Sequence, residues 1–179
     1  EYFTQGVDPE IEKAVRSAAD AARELGAQIV DVSLPHTAYA LSAYYIIAPS
    51  EASSNLARFD GVRYGARDKN AKNIVDLYTH SRESGFGAET KRRVILGTYA
   101  LSSGYYDAFY LKAMKVRRLI KEDFEKAFQK VDILLSPTSP TLPFKIGERT
   151  DDPLQMYLSD IFLVNHNLAG VPSLNIPCG

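Results

Sequence analysis

Few residues in this sequence have the type and spacing to do chemistry by themselves. Two serine pairs, Ser53-Ser54 and Ser102-Ser103, offer hydroxyls, yet a serine attacks only when a base takes its proton. Each pair falls in a predicted helix with no matching lysine context. The three histidines, His36, His80 and His166, lie far apart, and no HExxH, CxxC or GxxxxGK pattern occurs. Nothing local therefore predicts a zinc site or a P-loop, and Gly85-x-Gly87 is a lone glycine pair with no phosphate-binding claim. His166 has no acid or nucleophile tied to it by motif. The single cysteine, Cys178, excludes an internal disulfide and is expected to be a small buried hydrophobe beside a strand end.

Charge offers a second kind of chemistry. Lys91, Arg92, Arg93, Lys112, Lys115, Arg117, Arg118 and Lys121 face only Asp107 between residues 91 and 121, a local balance of +7 in a chain whose net charge is −1. Interleaved with Tyr105, Tyr106 and Tyr110, such a stretch suits an RNA backbone or a protein partner. Charge runs are also ordinary solvated helix faces, and that plainer reading stands beside the other two.

The elements that must position these residues follow from punctuation and periodicity. Asp8-Pro9 reads as an N-cap and first helical residue, Gly26 as the stop, and Ile11, Ala14, Val15, Ala18, Ala22 and Leu25 as one apolar face. Residues 28–34 alternate and end at Pro35, which predicts a strand. A long helix is expected over 37–57, kinked or divided at Pro49, then a loop rich in Gly, Asp and Arg over 59–72. Further helices are expected over 73–80, 88–102 and 104–130, the last with an apolar stripe of Tyr106, Phe109, Ala113, Val116, Ile120, Phe124 and Ala127. Residues 131–136 predict a buried strand, 137–143 a stiff proline-rich loop, 152–167 a helix begun by Asp152-Pro153, and 173–176 a third strand.

Length and composition bound the whole. The 179 residues, 45% of them apolar, suffice for one domain or two small ones, and no apolar run approaches the ~20 residues of a membrane-spanning helix. Near-neutrality excludes a chain-wide nucleic-acid clamp. No basic and apolar leader pattern appears, and a reducing, cytoplasmic setting is expected. Three scattered strands make a poor sheet unless others lie between them, so the expected fold is a helix-rich segment of a larger α/β protein.

Ala48-Pro-Ser-Glu-Ala-Ser-Ser-Asn-Leu-Ala-Arg-Phe-Asp-Gly-Val-Arg-Tyr-Gly65 resembles the A subunits of the aspartyl/glutamyl-tRNA amidotransferases, members of the amidase-signature family. The resemblance continues through Gly85-Phe-Gly-Ala-Glu-Thr-Lys-Arg-Arg-Val-Ile-Leu-Gly-Thr-Tyr99, Ser103-Gly-Tyr-Tyr-Asp107, Lys115-Val-Arg117 and Asp132-Ile-Leu-Leu-Ser-Pro-Thr-Ser-Pro140. Phe144-Lys-Ile-Gly147, Asp151-Asp-Pro-Leu154 and Asn167-Leu-Ala-Gly170 complete it, so that it runs from Glu1 to Gly179. Asn165 and His166 depart from it, standing where such subunits usually carry proline and a small residue.

The resemblance implies an α/β fold of amidase-signature type, a mixed sheet covered by helices, of which residues 1–179 form the C-terminal portion. It implies a glutaminase that releases ammonia from glutamine and passes it to a B subunit. There ATP and magnesium serve to activate Glu-tRNA(Gln) or Asp-tRNA(Asn), and no cofactor is implied for this chain. A small C subunit completes a heterotrimer, and aminoacyl-tRNA is met mainly through B. The implied catalytic group is Ser-Ser-Lys, carried in such subunits ahead of the matched region; no Gly-Gly-Ser-Ser-Gly stretch occurs here, and the isolated chain is expected to be inactive.

Glutamine presents a carboxylate, an ammonium and an amide, so its pocket needs a cationic fork and an opposing carboxylate. By motif and spacing the resemblance assigns Tyr44, Arg93 and Asp160 to that pocket, Arg93 for the carboxylate and Asp160 for the ammonium. Two other readings are a stand-alone amidase of the same family and a helical module docking protein partners or tRNA through residues 91–121.

Overall fold

The computed structural model of the chain describes residues 1–3, 6–148 and 153–178. They form two compact units, one made of Glu1–Tyr44 with Lys115–Gly179, the other of Tyr45–Met114. Helices α2 (Ala40–Leu56) and α5 (Lys112–Ala127) run through both boundaries.

In the first unit α1 spans Pro9–Glu24, and its start is the one the sequence specifies: the Asp8 carboxylate accepts from Glu10 N at 2.9 Å, with Pro9 opening the first turn. Asp8 N donates to Pro140 O at 2.8 Å, which ties that cap to the proline-rich loop. A 3-10 turn, Pro35–Tyr39, leads into α2. Ala40, Ala43, Ile120, Phe124, Ala127, Phe162, Val164 and Leu168 are buried core residues. Tyr2 stacks on Phe162 at 4.9 Å between ring centroids, and burial pushes its hydroxyl pKa up to about 12. Arg117 Nε donates to Leu168 O at 2.8 Å and so ties α5 to α7 (Val164–Ala169).

Asp123 of α5 is 3% exposed, a burial tolerated because it is fully engaged. It accepts from His36 N at 2.8 Å, and its carboxylate lies 2.9 Å from His36 Nδ1. Replacing Asp123 by Ala removes both bonds and leaves a part-buried N–H without an acceptor. We expect Asp123→Ala to lower stability by about 2–3 kcal/mol, measured by urea unfolding of the complete polypeptide. A change within experimental error would mean that this bond does not hold the 3-10 turn.

The three strands expected from the sequence do not form. Residues 27–34, 131–136 and 171–178 have no ladder partner among the described residues. Their apolar side chains are largely open, Ile133 at 83% and Leu174 at 88% exposed. The reason is physical: a helix closes its hydrogen bonds within its own segment, whereas a strand needs another strand beside it. One side-chain bond, Thr138 Oγ1 to Asn175 Oδ1 at 3.0 Å, links the proline-rich loop to the last of these segments in place of a ladder. Cys178, expected buried, is exposed in the same stretch.

In the second unit α3 (Ile74–Gly85) is capped by Asn73, whose Oδ1 accepts from Asp76 N at 2.9 Å, and α4 spans Ala88–Ala100. Pro49 sits inside α2, which runs from Ala40 to Leu56 without being divided there, where the sequence predicts a kink or a division. Gly97 of α4 lies so close to it that a Cβ would stand 1.9 Å from Pro49 O, and Ser53 Oγ meets Thr98 Oγ1 at 2.8 Å beside the crossing. The expected helix over 104–130 begins instead as a π-helical segment, Tyr106–Leu111, before α5. This splits the apolar stripe. Ala113, Ile120, Phe124 and Ala127 are buried, while Tyr106 and Phe109 remain 40% exposed, Phe109 stacking on Tyr105 and Tyr106 on Tyr110.

The helix expected over 152–167 is two short ones, α6 (Pro153–Leu158) and α7, separated by a turn in which Asp160 N donates to Tyr157 O at 3.1 Å. Asp152 lies outside the described residues.

Candidate functional site

Arg93 projects from α4, where Glu89 one turn earlier holds it. Its Nε donates to Glu89 Oε1 at 2.9 Å, its guanidinium carbon lies 5.7 Å from the Tyr45 ring centroid, and the side chain is 30% exposed. A guanidinium engaged through Nε and set over an aromatic face is oriented rather than loose. Arg92 pairs with the other oxygen of Glu89, so Glu89 serves both arginines. That pairing is legible in the sequence as spacings of three and four residues on one helix.

Tyr44 and Asp160 belong to the other unit, each half-buried. Tyr44 stands on α2. Asp160 occupies the turn between α6 and α7, where its backbone carbonyl accepts from Leu163 N at 2.9 Å and Val164 N at 3.1 Å. The turn is thus fixed by its backbone.

The residues that depart from the family resemblance are packed beside that turn. Asn165 is fully buried; its Nδ2 donates to Ile161 O at 2.8 Å, while its Oδ1 finds no donor among the described residues. Partial burial holds the His166 ring below the ordinary histidine range, favouring its neutral form.

Residues 57–73 form an ordered loop rather than a slack one. Gly61 at φ +79° is irreplaceable on two counts: the left-handed backbone, and a Cβ position 2.5 Å from Ser81 Oγ. Asp60 Oδ1 accepts from Val62 N at 2.8 Å, Gly61 N donates to Tyr64 O at 3.1 Å, and Asp68 N donates to Ser81 Oγ at 3.0 Å. Arg82 Nη1 reaches both Leu56 O and Phe59 O at 3.0 Å, closing the end of α2. Asp68 accepts from Asn70 N and lies 2.9 Å from His80 Nδ1; these bonds, the backbone one foremost, hold its carboxyl below the usual range. Sequence reasoning misses the Asp68–His80 pair, because the two residues are brought together only by the loop's return onto α3.

The basic stretch over 91–121 is partly neutralised, four of its eight cations being ion-paired. Arg92 and Arg93 pair with Glu89, Arg118 with Glu122 at 2.9 Å and Lys121 with Glu125 at 3.6 Å. Arg117 is spent on the Leu168 carbonyl. The balance of +7 arises because Glu89, Glu122 and Glu125 stand just outside those bounds. Of the serine pairs, Ser53 Oγ meets Thr98 Oγ1 at 2.8 Å, and Ser102 Oγ donates to Tyr99 O at 2.7 Å. Among the described residues no group of three His, Cys, Asp or Glu side chains could hold a metal, and no helix is long and apolar enough to cross a membrane.

Comparison with known proteins supplies the context for these residues. The Amidase family profile matches residues 1–179. Over all 179 residues the chain is 65% identical to the A subunit of the glutamyl-tRNA(Gln) amidotransferase of Myxococcus xanthus and 59% identical to that of Heliobacterium modesticaldum, spanning 37% of the length of each. The crystal structure of the corresponding A subunit from Thermotoga maritima, also a glutamyl-tRNA(Gln) amidotransferase, superposes with a TM-score of 0.62 at 38% identity, over 93% of this chain and 31% of that one. A family profile covering every residue and a shared fold at this identity lead to one conclusion: the chain belongs to the amidase family.

Proposed function

We propose that this chain is part of the glutaminase subunit of a tRNA-dependent amidotransferase. The observation that carries the reading is 65% identity, over the whole chain, to a relative named as the A subunit of a glutamyl-tRNA(Gln) amidotransferase. In this reading the complete polypeptide hydrolyses the side-chain amide of glutamine with water, giving glutamate and ammonia. The ammonia passes to a B subunit, which uses ATP and magnesium to convert Glu-tRNA(Gln) or Asp-tRNA(Asn) to the amide. A C subunit completes a cytoplasmic heterotrimer.

The part assigned to these 179 residues is substrate holding. Arg93 pairs the glutamine α-carboxylate through its planar fork, Asp160 pairs the α-ammonium, and the Tyr44 hydroxyl hydrogen-bonds the bound amino acid. Charge-assisted bonds of this kind fix both ends of the amino-acid backbone, so that the amide is presented in one orientation. The attacking serine, bridging serine and base lysine belong to sequence not contained in this chain, and by itself it hydrolyses no glutamine. Incubating the purified 179-residue chain with glutamine should release no ammonia above a buffer blank. Sustained release would place a nucleophile within these residues and overturn this division of labour.

A further inference from the structure

The cations that remain unmatched in the second unit are concentrated on one ordered loop. Arg58, Arg63, Arg67, Lys69 and Lys72 fall within fifteen residues, against Asp60 and Asp68. Both carboxylates are committed to shaping the loop, Asp60 to Val62 N and Asp68 to Asn70 N and His80. Arg58 turns back to Asn55 O. Arg63, Arg67, Lys69 and Lys72 are exposed, and among the described residues none of them has an ion-pair partner. The helical stretch over 91–121 differs: four of its eight cations, Arg92, Arg93, Arg118 and Lys121, are ion-paired. Beside them stand two exposed aromatic rings, Phe59 and Tyr64, packed edge to face with centroids 6.5 Å apart and Tyr64 54% exposed.

We infer that the loop of residues 58–72 is an RNA-binding element, in which Arg63, Arg67, Lys69 and Lys72 neutralise backbone phosphates and the Tyr64 ring offers a face to an unstacked base. Unmatched cations with an interleaved aromatic are what single-stranded or looped RNA requires: counterion release supplies affinity, and stacking tolerates any base. An acidic protein surface would use the cations but has no need of an open aromatic face. The loop is also preorganised. Gly61 and Ser81 fix its first turn, the Asp68 bonds fix its second, and Arg82 anchors its start, so little ordering cost remains for the complex.

The inference rests on the proposed amidotransferase reading, in which the RNA is a tRNA. It adds a contact on this chain to the tRNA contacts that this reading places mainly on the B subunit. The test uses the complete amidotransferase with its partner subunits. Binding of fluorescently labelled tRNA is followed by anisotropy across a series of KCl concentrations, for wild type and for the triple variant R63Q/R67Q/K69Q. Loss of three phosphate contacts should weaken binding at moderate salt by about tenfold or more and reduce the slope of log affinity against log salt by about 2–3. Ammonia release from glutamine without tRNA should be unchanged, which shows that the variant is folded. R63K/R67K should retain both affinity and slope.

Equal affinity and equal slope in wild type and triple variant would overturn the inference. So would dissociation of the complex in place of a salt-dependent loss of tRNA affinity, which would make the loop a protein-docking surface. Failure of the wild-type complex to release ammonia from glutamine is a different result, and it refutes the amidotransferase reading itself.

Discussion

Arg93→Ala, made in the complete enzyme with its partner subunits, should reduce kcat/KM for glutamine by between about 30-fold and a few thousand-fold while leaving turnover with free ammonia intact. The range follows from the cost of about 2–5 kcal/mol for truncating one partner of a desolvated, hydrogen-bonded charge pair. Free ammonia bypasses the pocket, so a variant defective only in holding glutamine retains the later steps. Arg93→Lys should restore little, because an ammonium carries the charge without the two parallel donors. The position of Arg93 agrees with a binding role: Glu89 engages Nε, and Tyr45 lies under the guanidinium plane. An arginine serving only as helix-surface charge would give a near-wild-type enzyme, and unchanged glutamine dependence would return Arg93 to that role.

Gly97→Ala should be among the most destabilising single methyl additions available in the second unit. The added carbon would stand 1.9 Å from Pro49 O, 2.4 Å from Pro49 C and 2.8 Å from Ser53 Cβ. Two of these three are backbone atoms of a helix, which cannot swing aside as the tip of a long side chain can. Relief requires α2 and α4 to separate, breaking the Ser53–Thr98 bond and opening the buried surface around Pro49 and Ser50. Overpacking typically costs about 1–3 kcal/mol and occasionally more, and backbone opposition places this case at or above the upper end. Urea unfolding of the complete polypeptide should show a loss of about 3 kcal/mol or a protein that does not accumulate in folded form. A loss below about 1 kcal/mol would show that the two helices separate at little cost. Ser53→Ala, which removes one hydrogen bond without adding volume, should cost only about 1 kcal/mol.

Much of the helical frame is legible in the sequence because its causes are local. The Asp8 cap with Pro9, the helix that begins near residue 73 and the loop after residue 57 each depend on residues within one or two turns of one another. The three strands fail for the opposite reason. Alternation in residues 28–34 and apolar runs near 133 and 174 show that these segments suit a sheet, but a ladder requires a neighbour, and the described residues supply none. The face over 91–121 is less basic than its sequence suggests for a simpler reason: its acidic partners sit at helical spacings that a count over a fixed stretch cuts off.

The candidate site divides in the same way. Motif and order single out Tyr44, Arg93 and Asp160, and ordinary helix spacing explains why Glu89 steadies Arg93. No local signal joins His36 to Asp123, 87 residues apart, or Asp68 to His80 across a folded loop, and none shows that Asn165 buries an amide oxygen without a donor among the described residues. The amino-acid sequence by itself determined where most of the helices lie, the cap at Asp8 and the family, because those rest on interactions between near neighbours and on ordered motifs. The tertiary structure alone decided which charges are cancelled, which loop keeps its cations open and which apolar segments lack a partner, because each depends on groups that only the folded chain brings together.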